Sequence, residues 1–170
     1  MTSKQKLSLR DLVALALVGA GLFASQVAMS SLPNIHPVAT VIIAGTLVWS
    51  WQMLYAVGVF VLLEGFTYGF GLWWVSYLYI WTLLVALTVW VGERDGRLLW
   101  ATLAGLYGLC FGALCAIPYL LLGGFKMAFA YWLNGIPFDF LHAGGNFAVT
   151  FVLLPPLRRA LASFGRGGTH

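Results

Sequence analysis

Charged side chains are scarce in this sequence: lysine, arginine, aspartate and glutamate make up only 8% of its 170 residues. Hydrophobic residues account for 61%, and the mean hydropathy is +0.91. A water-soluble domain of this length needs far more charge to keep its surface hydrated. The composition therefore excludes a soluble globular domain and predicts a polytopic membrane protein, with no length left for a separate soluble domain.

Cysteine is also rare, and the familiar catalytic motifs are missing. The two cysteines, Cys110 and Cys115, are five positions apart in one apolar run, which places them roughly 140° apart around a helix. This geometry suits neither a disulfide nor a shared metal ion, so we expect both to be packing residues. The sequence contains no GxSxG or HExxH motif. We therefore expect no metal, no cofactor and no enzymatic activity.

Long apolar runs follow one another almost without interruption. Runs of about 18 or more apolar residues are typical of helices that span a bilayer. We predict an all-α, polytopic membrane bundle of six transmembrane helices, which forms a single domain over residues 1–170. The approximate limits of the predicted spans are 9–29, 38–49, 53–68, 72–91, 98–122 and 137–155. We expect segment 123–135, before the last span, to be an interfacial helix or a folded loop.

The basic residues predict the orientation of this bundle. An even number of spans places both termini on one side, together with eight of the nine basic residues, and leaves only Lys126 opposite. Because basic residues are retained on the cytoplasmic side, both termini are predicted to be cytoplasmic. The net charge of +4 is then explained by topology, and it does not call for a nucleic-acid partner.

The last predicted span carries a stripe of polar side chains. Asp139, His142, Asn146 and Thr150 lie within an arc of about 80° on a helix. A charge in a bilayer core costs at least about 2.5–3.5 kcal/mol, so the stripe must face protein or water. It lines a binding cavity or forms an interhelical hydrogen-bond seam, and the sequence leaves both open. If Pro137 opens the span, Asp139 falls in its first turn and could simply cap it.

Glu64 and a group of aromatic residues are the other candidates for ligand contacts. Glu64 lies inside the third span with Tyr68 four residues later, and ionisable groups at such depth usually serve a site or a pair. The alternative is a bond from Glu64 to His142 or to the backbone that only fixes packing. Trp73, Tyr77 and Trp81 recur every four residues and form a stripe, which is a stacking wall for a flat or cationic ligand or part of the interfacial aromatic belt.

Further candidates come from the loops that the predicted topology places outside. Asn34 and His36 lie in the first of these loops, and Trp132 and Asn134 lie in the last, where they could form a lid. The complete predicted substrate-binding set is Asn34, His36, Glu64, Tyr68, Trp73, Tyr77, Trp132, Asn134, Asp139, His142 and Asn146.

Small residues recur along the first span. Ala16, Ala20 and Ala24 repeat at intervals of four, so they form a ridge on one helical face. Such a ridge allows another helix to approach closely. The sequence does not decide whether that helix belongs to the same chain or to another subunit.

Taken together, these residues resemble the substrate-binding S component of energy-coupling factor (ECF) vitamin transporters. The resemblance covers essentially the whole chain. It rests on the length, the six spans with inward termini, the alanine ridge, LPN followed by HPV, and GIPFDFLHAGGN leading to LLPPLRRAL.

The resemblance implies a multi-pass protein of the plasma membrane of a prokaryote that binds a vitamin or vitamin precursor at its outer face. It has no ATPase of its own. It docks on a membrane T component joined to two ATPase subunits, and Ala16, Ala20 and Ala24 would form the docking surface.

The residue types suggest a cargo, and two other functions stay open. Glu64, Asp139 and His142 supply hydrogen-bond acceptors, and Lys126 is the only cation predicted outside, which favours a neutral or cationic heteroaromatic molecule. The same three residues could instead perform acid–base chemistry in an intramembrane enzyme. Alternatively, the chain could be a structural subunit of a membrane complex.

Overall fold

The computed structural model describes residues 7–31, 35–92 and 94–165, and within them every regular element is a helix. The elements are α1 (Leu9–Ala28), α2 (Val38–Trp49), a 3-10 turn (Ser50–Gln52), α3 (Met53–Tyr68), α4 (Leu72–Val91), α5 (Arg97–Leu109), α6 (Phe111–Cys115) and α7 (Ile117–Gly165). Four stretches are long and apolar enough to cross a membrane, namely Leu9–Ala28, Val38–Tyr68, Leu72–Val91 and Ile117–Phe164. The all-α fold is thus confirmed for the described residues. Six crossings stay a prediction.

Helix α1 begins at a capping box and packs closely on α3 at Gly19. The Asp11 N–H donates to the Ser8 hydroxyl at 3.1 Å, while the Ser8 N–H donates to the Asp11 carboxylate at 3.2 Å, so two end groups of the helix are satisfied. A Cβ at Gly19 would lie only 2.5 Å from the Ala56 carbonyl oxygen of α3. Glycine is therefore required at the closest approach of α1 to α3.

Helix α2 is the centre of the bundle. Ten of its twelve residues are buried, as expected for a helix that is apolar on all sides. It ends at Trp49. The next residue, Ser50, has a φ of 53°, which turns the chain toward α3. The Trp49 indole N–H donates to the Asp11 carboxylate of α1 at 3.3 Å, which fixes the last residue of α2 beside the first turn of α1.

Helices α5 and α6 and the first residues of α7 follow one another with one-residue interruptions at Cys110 and Ala116. The second interruption precedes Pro118, which has no N–H to donate to the Leu114 carbonyl. The Tyr79 hydroxyl of α4 donates to that carbonyl instead, at 2.6 Å. The helix irregularity is thus compensated by a neighbouring helix.

The chain reverses at Gly124, the only non-helical position inside α7, where φ is 72°. The two arms of this hairpin then run antiparallel. Close to the turn, Tyr119 stacks on Tyr131 with 4.2 Å between ring centroids. Far from it, the Arg97 guanidinium lies 5.3 Å from the centre of the Phe151 ring. The arms therefore stay paired over most of their length.

The prediction of a final span bounded by prolines was wrong. Pro137, Pro155 and Pro156 all lie inside α7, so no helix begins at Pro137 and Asp139 is not in a first turn. Segment 123–135 contains the turn at Gly124 and then joins the same helix. Proline is tolerated inside apolar helices because neighbouring groups satisfy the carbonyl that it leaves free.

The start of α1 and the last residues of α7 meet at one end of the bundle, which we call the termini end. The Arg10 guanidinium of α1 donates to the Ser163 carbonyl of α7 at 3.4 Å. Arg158 of α7 lies 3.5 Å from the Asp95 carboxylate, before α5. The turn at Gly124 lies at the other end of the α5–α7 hairpin.

Candidate ligand site

The predicted polar stripe of α7 is buried against neighbouring helices. Asp139, His142, Asn146 and Thr150 are each at most 4% exposed. The Thr150 hydroxyl is hydrogen-bonded to the Thr40 hydroxyl of α2 at 2.8 Å. The stripe therefore faces protein, as the cost of a lipid-facing charge predicts.

Part of this stripe is an interhelical seam, but the seam does not use all of its polar atoms. Asp139 Oδ1 accepts the Gly112 N–H of α6 at 2.8 Å, and Asn146 Nδ2 donates to the Ala104 carbonyl of α5 at 3.4 Å. Asp139 Oδ2 and Asn146 Oδ1 are buried without any protein partner. Because a Cβ at Gly112 would lie 2.5 Å from Asp139 Oδ2, glycine is needed there to admit the carboxylate.

His142 is surrounded by rings and makes no hydrogen bond within the described protein. It is 1% exposed, and both of its ring nitrogens are unpartnered. Its ring centroid lies 4.6 Å from that of Phe111 and 5.6 Å from that of His36. Burial lowers the pKa of His36 below its ordinary value, which favours a neutral imidazole at pH 7. His36 Nδ1 is also buried without a partner.

Glu64 is equally buried, at 1% exposure, and its Oε1 has no partner. The bond between Glu64 and His142 is not formed, since neither nitrogen of His142 has a partner, so that half of the packing alternative was wrong; a bond from Glu64 to the backbone stays a prediction. The ring of Phe60, one turn before Glu64, lies 6.0 Å from the ring of Tyr77, which carries a hydroxyl. That hydroxyl accepts a bond from Gln26 Nε2 of α1 at 3.5 Å. Gln26 Oε1 is buried and unpartnered.

Aromatic rings connect the Glu64 and His142 regions. Phe60, one turn before Glu64 on α3, lies 6.0 Å from both Tyr77 and Trp81 of α4. Trp81 lies 5.6 Å from Phe111, the ring that contacts His142. The ring of Trp73 lies beside this group, with its centroid 5.3 Å from that of Tyr77. The predicted aromatic stripe of α4 thus faces the bundle interior at Tyr77 and Trp81.

We call the residues with buried, unpartnered side-chain atoms the interior cluster. Its members are Gln26, His36, Glu64, Trp81, Asp139, His142 and Asn146.

Several predicted site residues lie apart from this cluster. Tyr68 is 55% exposed. Trp132 packs against a phenylalanine of its own helix, and the exposed Asn134 donates to a carbonyl of its own helix. Asn34 lies outside the described residues. The structure therefore brings together His36, Glu64, Tyr77 and the polar residues of α7, but not these others.

Three residues of the site were not indicated by the sequence patterns, namely Gln26, Phe60 and Phe111. Trp81 belongs to the predicted aromatic stripe of α4 but was not in the predicted substrate-binding set. Gln26 is a polar side chain at the end of an apolar span and could have been noticed. Phe60 and Phe111 carry no signal, because apolar rings are common throughout this chain.

The site combines polar atoms with aromatic rings, a combination that can hold a polar ring. Carboxylate, amide and imidazole atoms supply acceptors, Trp81 supplies an N–H, and aromatic rings flank them. Among the described residues, no group of three metal-ligating side chains lies close enough to hold an ion. No protein-family model, curated protein or solved structure matches this chain.

Proposed function

We propose that this chain is the substrate-binding S component of an ECF-type importer, and that it binds a vitamin or vitamin precursor for ATP-driven uptake. The cargo is a neutral or cationic heteroaromatic molecule held by the interior cluster. The observation that carries the proposal is that seven side chains among the described residues each hold a buried polar atom that no protein group satisfies.

The unpaired polar atoms of the interior cluster carry a large energetic cost. An unsatisfied buried polar group costs about 1–3 kcal/mol, and more if it is charged. Seven such groups together are expensive for a protein whose folding free energy is of the order of 5–15 kcal/mol. Polar side chains that served only to join two helices would be hydrogen-bonded to each other, as those of Thr40 and Thr150 are. A bound molecule with N–H donors and a flat ring supplies the missing partners.

The alanine ridge of α1 supports docking on a T component joined to two ATPase subunits. Ala16, Ala20 and Ala24 are exposed, and α1 uses another face, through Gly19, to contact α3. An open apolar groove of about 400 Å³ continues this side of the helix toward the termini end. It is lined by Leu9, Arg10, Val13, Ala14, Leu17 and Phe164.

In this proposal the chain crosses the plasma membrane of a prokaryote six times, with both termini in the cytoplasm. Arg10 and Arg158 both lie at the termini end, which agrees with the retention of basic residues on the cytoplasmic side. Lys126, two residues after the Gly124 turn, would then lie outside.

The direct test is the identification of a retained ligand. Protein purified in detergent is extracted, the extract is analysed by mass spectrometry, and binding of the identified compound is measured by calorimetry. Glu64→Gln should abolish binding, whereas Asn134→Ala, at an exposed site outside the cluster, should not change it. Normal affinity in Glu64→Gln would refute the assigned site.

A second substitution tests docking separately from binding. Ala20→Trp should leave ligand binding intact but block uptake by cells that also express the T component and ATPase subunits. Gly21→Ala is the matched control, because its added Cβ meets no atom within 4 Å. Normal uptake by Ala20→Trp would show that the ridge is not the docking surface.

A further inference from the structure

Helix α2 is too short to reach both ends of the bundle. Its twelve residues span about 18 Å, compared with about 30 Å for a bilayer core. Because Trp49 at its last turn is bonded to Asp11 at the termini end, its first residues lie inside the bundle. Val38, Ala39 and Thr40 are accordingly 0% exposed.

The amino terminus of α2 is therefore a buried set of hydrogen-bond donors. Its N-cap, Pro37, provides no side-chain bond, and the first bond that closes the helix runs from the Val41 N–H to the Pro37 carbonyl. The preceding N–H groups have no partner within the helix, and the helix dipole adds partial positive charge at this end. Buried backbone N–H groups are almost always paired, so these groups call for an acceptor from outside the helix.

A second, independent feature points to the same place. His142 is 1% exposed with both ring nitrogens free, and its ring contacts that of His36, two residues before Val38. Further along, Thr150 of α7 is bonded to Thr40 of α2. The polar stripe of α7 therefore runs alongside the first turn of α2. A neutral imidazole offers one N–H, so His142 adds a donor there.

The opposite part of the interior cluster has acceptor character. A chain of ring contacts links this part to His142, from Phe60, one turn before Glu64, through Trp81 and Phe111. The interior cluster thus has a donor pole at α2 and an acidic pole at Glu64, joined by aromatic rings. Asp139 is the other nearby carboxylate, and its Oδ1 is turned toward the Gly112 N–H of α6.

We propose that the cargo carries two opposite groups on one ring system: a carboxylate that binds at the amino terminus of α2 beside His142, and N–H donors that face Glu64. This inference rests on the proposed function and narrows its cargo to a net-neutral, zwitterionic or amphoteric heterocyclic acid. Half-helices whose amino termini bind anionic groups near mid-membrane are a recurring device in transporters.

The test compares heterocyclic acids with their primary amides, which keep the ring but lose the negative charge. The probes are 6-aminonicotinate, urocanate and imidazole-4-acetate, each paired with its amide, and binding is followed by calorimetry and tryptophan fluorescence on the full chain. The tightest binder should be an acid, and its amide should bind at least about tenfold more weakly, because the donors at α2 would lose a charged acceptor.

Two variants separate the poles. His142→Phe should bring the acid-to-amide affinity ratio close to one, whereas His142→Gln, which keeps a donor, should preserve the preference and shows that the fold tolerates substitution there. Glu64→Gln should weaken acid and amide alike.

Three results would overturn the inference while leaving the proposed function standing. They are equal affinity for acid and amide, a retained ligand without an acidic group, and a ligand-bound structure with only water at Val38. If no small molecule is retained and none of the six probes binds, the proposed function fails together with the inference.

Discussion

The termini end and the interior cluster use polar residues in opposite ways. At the termini end, Asp11 is bonded to Ser8 and Trp49, and Arg158 is paired with Asp95. In the interior cluster, polar side chains are more deeply buried, yet each keeps an atom without a protein partner. The difference teaches that the termini end satisfies its polar groups within the protein, whereas the interior cluster leaves polar atoms unsatisfied at a cost in stability, as the proposed binding role requires.

A pair of carboxyl-to-amide substitutions should separate these two roles most strongly. Asp11→Asn should destabilise the protein by about 1–2 kcal/mol, because a capping carboxylate is lost. Glu64→Gln should raise stability by about 1 kcal/mol or more, since it removes a buried charge without a partner. Thermal unfolding in detergent without ligand measures both. A Tm for Glu64→Gln that falls as far as that of Asp11→Asn would remove the distinction between the regions.

Two glycines of the hairpin test whether the cluster is tightly built around Asp139. Gly112→Ala should cost about 1–3 kcal/mol, because its Cβ would lie 2.5 Å from Asp139 Oδ2. Gly144→Ala, in the same hairpin, meets no atom within 4 Å and should stabilise α7 by about 0.5–1 kcal/mol. Chemical unfolding measures the pair. A neutral result for Gly112→Ala would mean that Asp139 is free to move away.

Much of the fold could be predicted because its first connections carry clear signals. The limits predicted for α2, α3 and α4 match the structure, since Pro37, Gly69 and Gly92 mark the breaks between apolar runs. The last third could not be predicted in the same way. Its prolines lie inside a continuous helix, and the real turn is at Gly124, where a positive φ is needed.

The site was predictable where polar residues stand out in an apolar sequence. Glu64, Asp139, His142 and Asn146 were all predicted, and all are buried. What the sequence could not show is which of their atoms stay unpartnered, because this depends on Gly112 and Ala104, which approach from other helices.

The bond between Thr40 and Thr150 marks the boundary where the paired part of the stripe begins. Thr150→Val should cost about 1 kcal/mol, because the Thr40 hydroxyl loses its partner while buried. The double variant Thr40→Val with Thr150→Val should recover part of that loss, since no hydroxyl is then left unsatisfied. A double-mutant cycle from thermal unfolding provides the coupling energy. Additive losses would show that the two hydroxyls do not stabilise each other.

The smallest expected effect is a pH dependence from His36. Burial lowers the pKa of His36 in the folded protein, whereas the unfolded chain has the ordinary value of about 6.5. The unfolded state therefore binds the proton more readily, so the contribution of His36 to stability is complete above about pH 6.5 and is lost as the pH falls toward the folded pKa. Between pH 7.5 and 5.5, the Tm of the wild type should fall more than that of His36→Gln. Equal slopes would mean that the unpartnered Nδ1 of His36 reaches solvent and does not share the dry surroundings of the interior cluster.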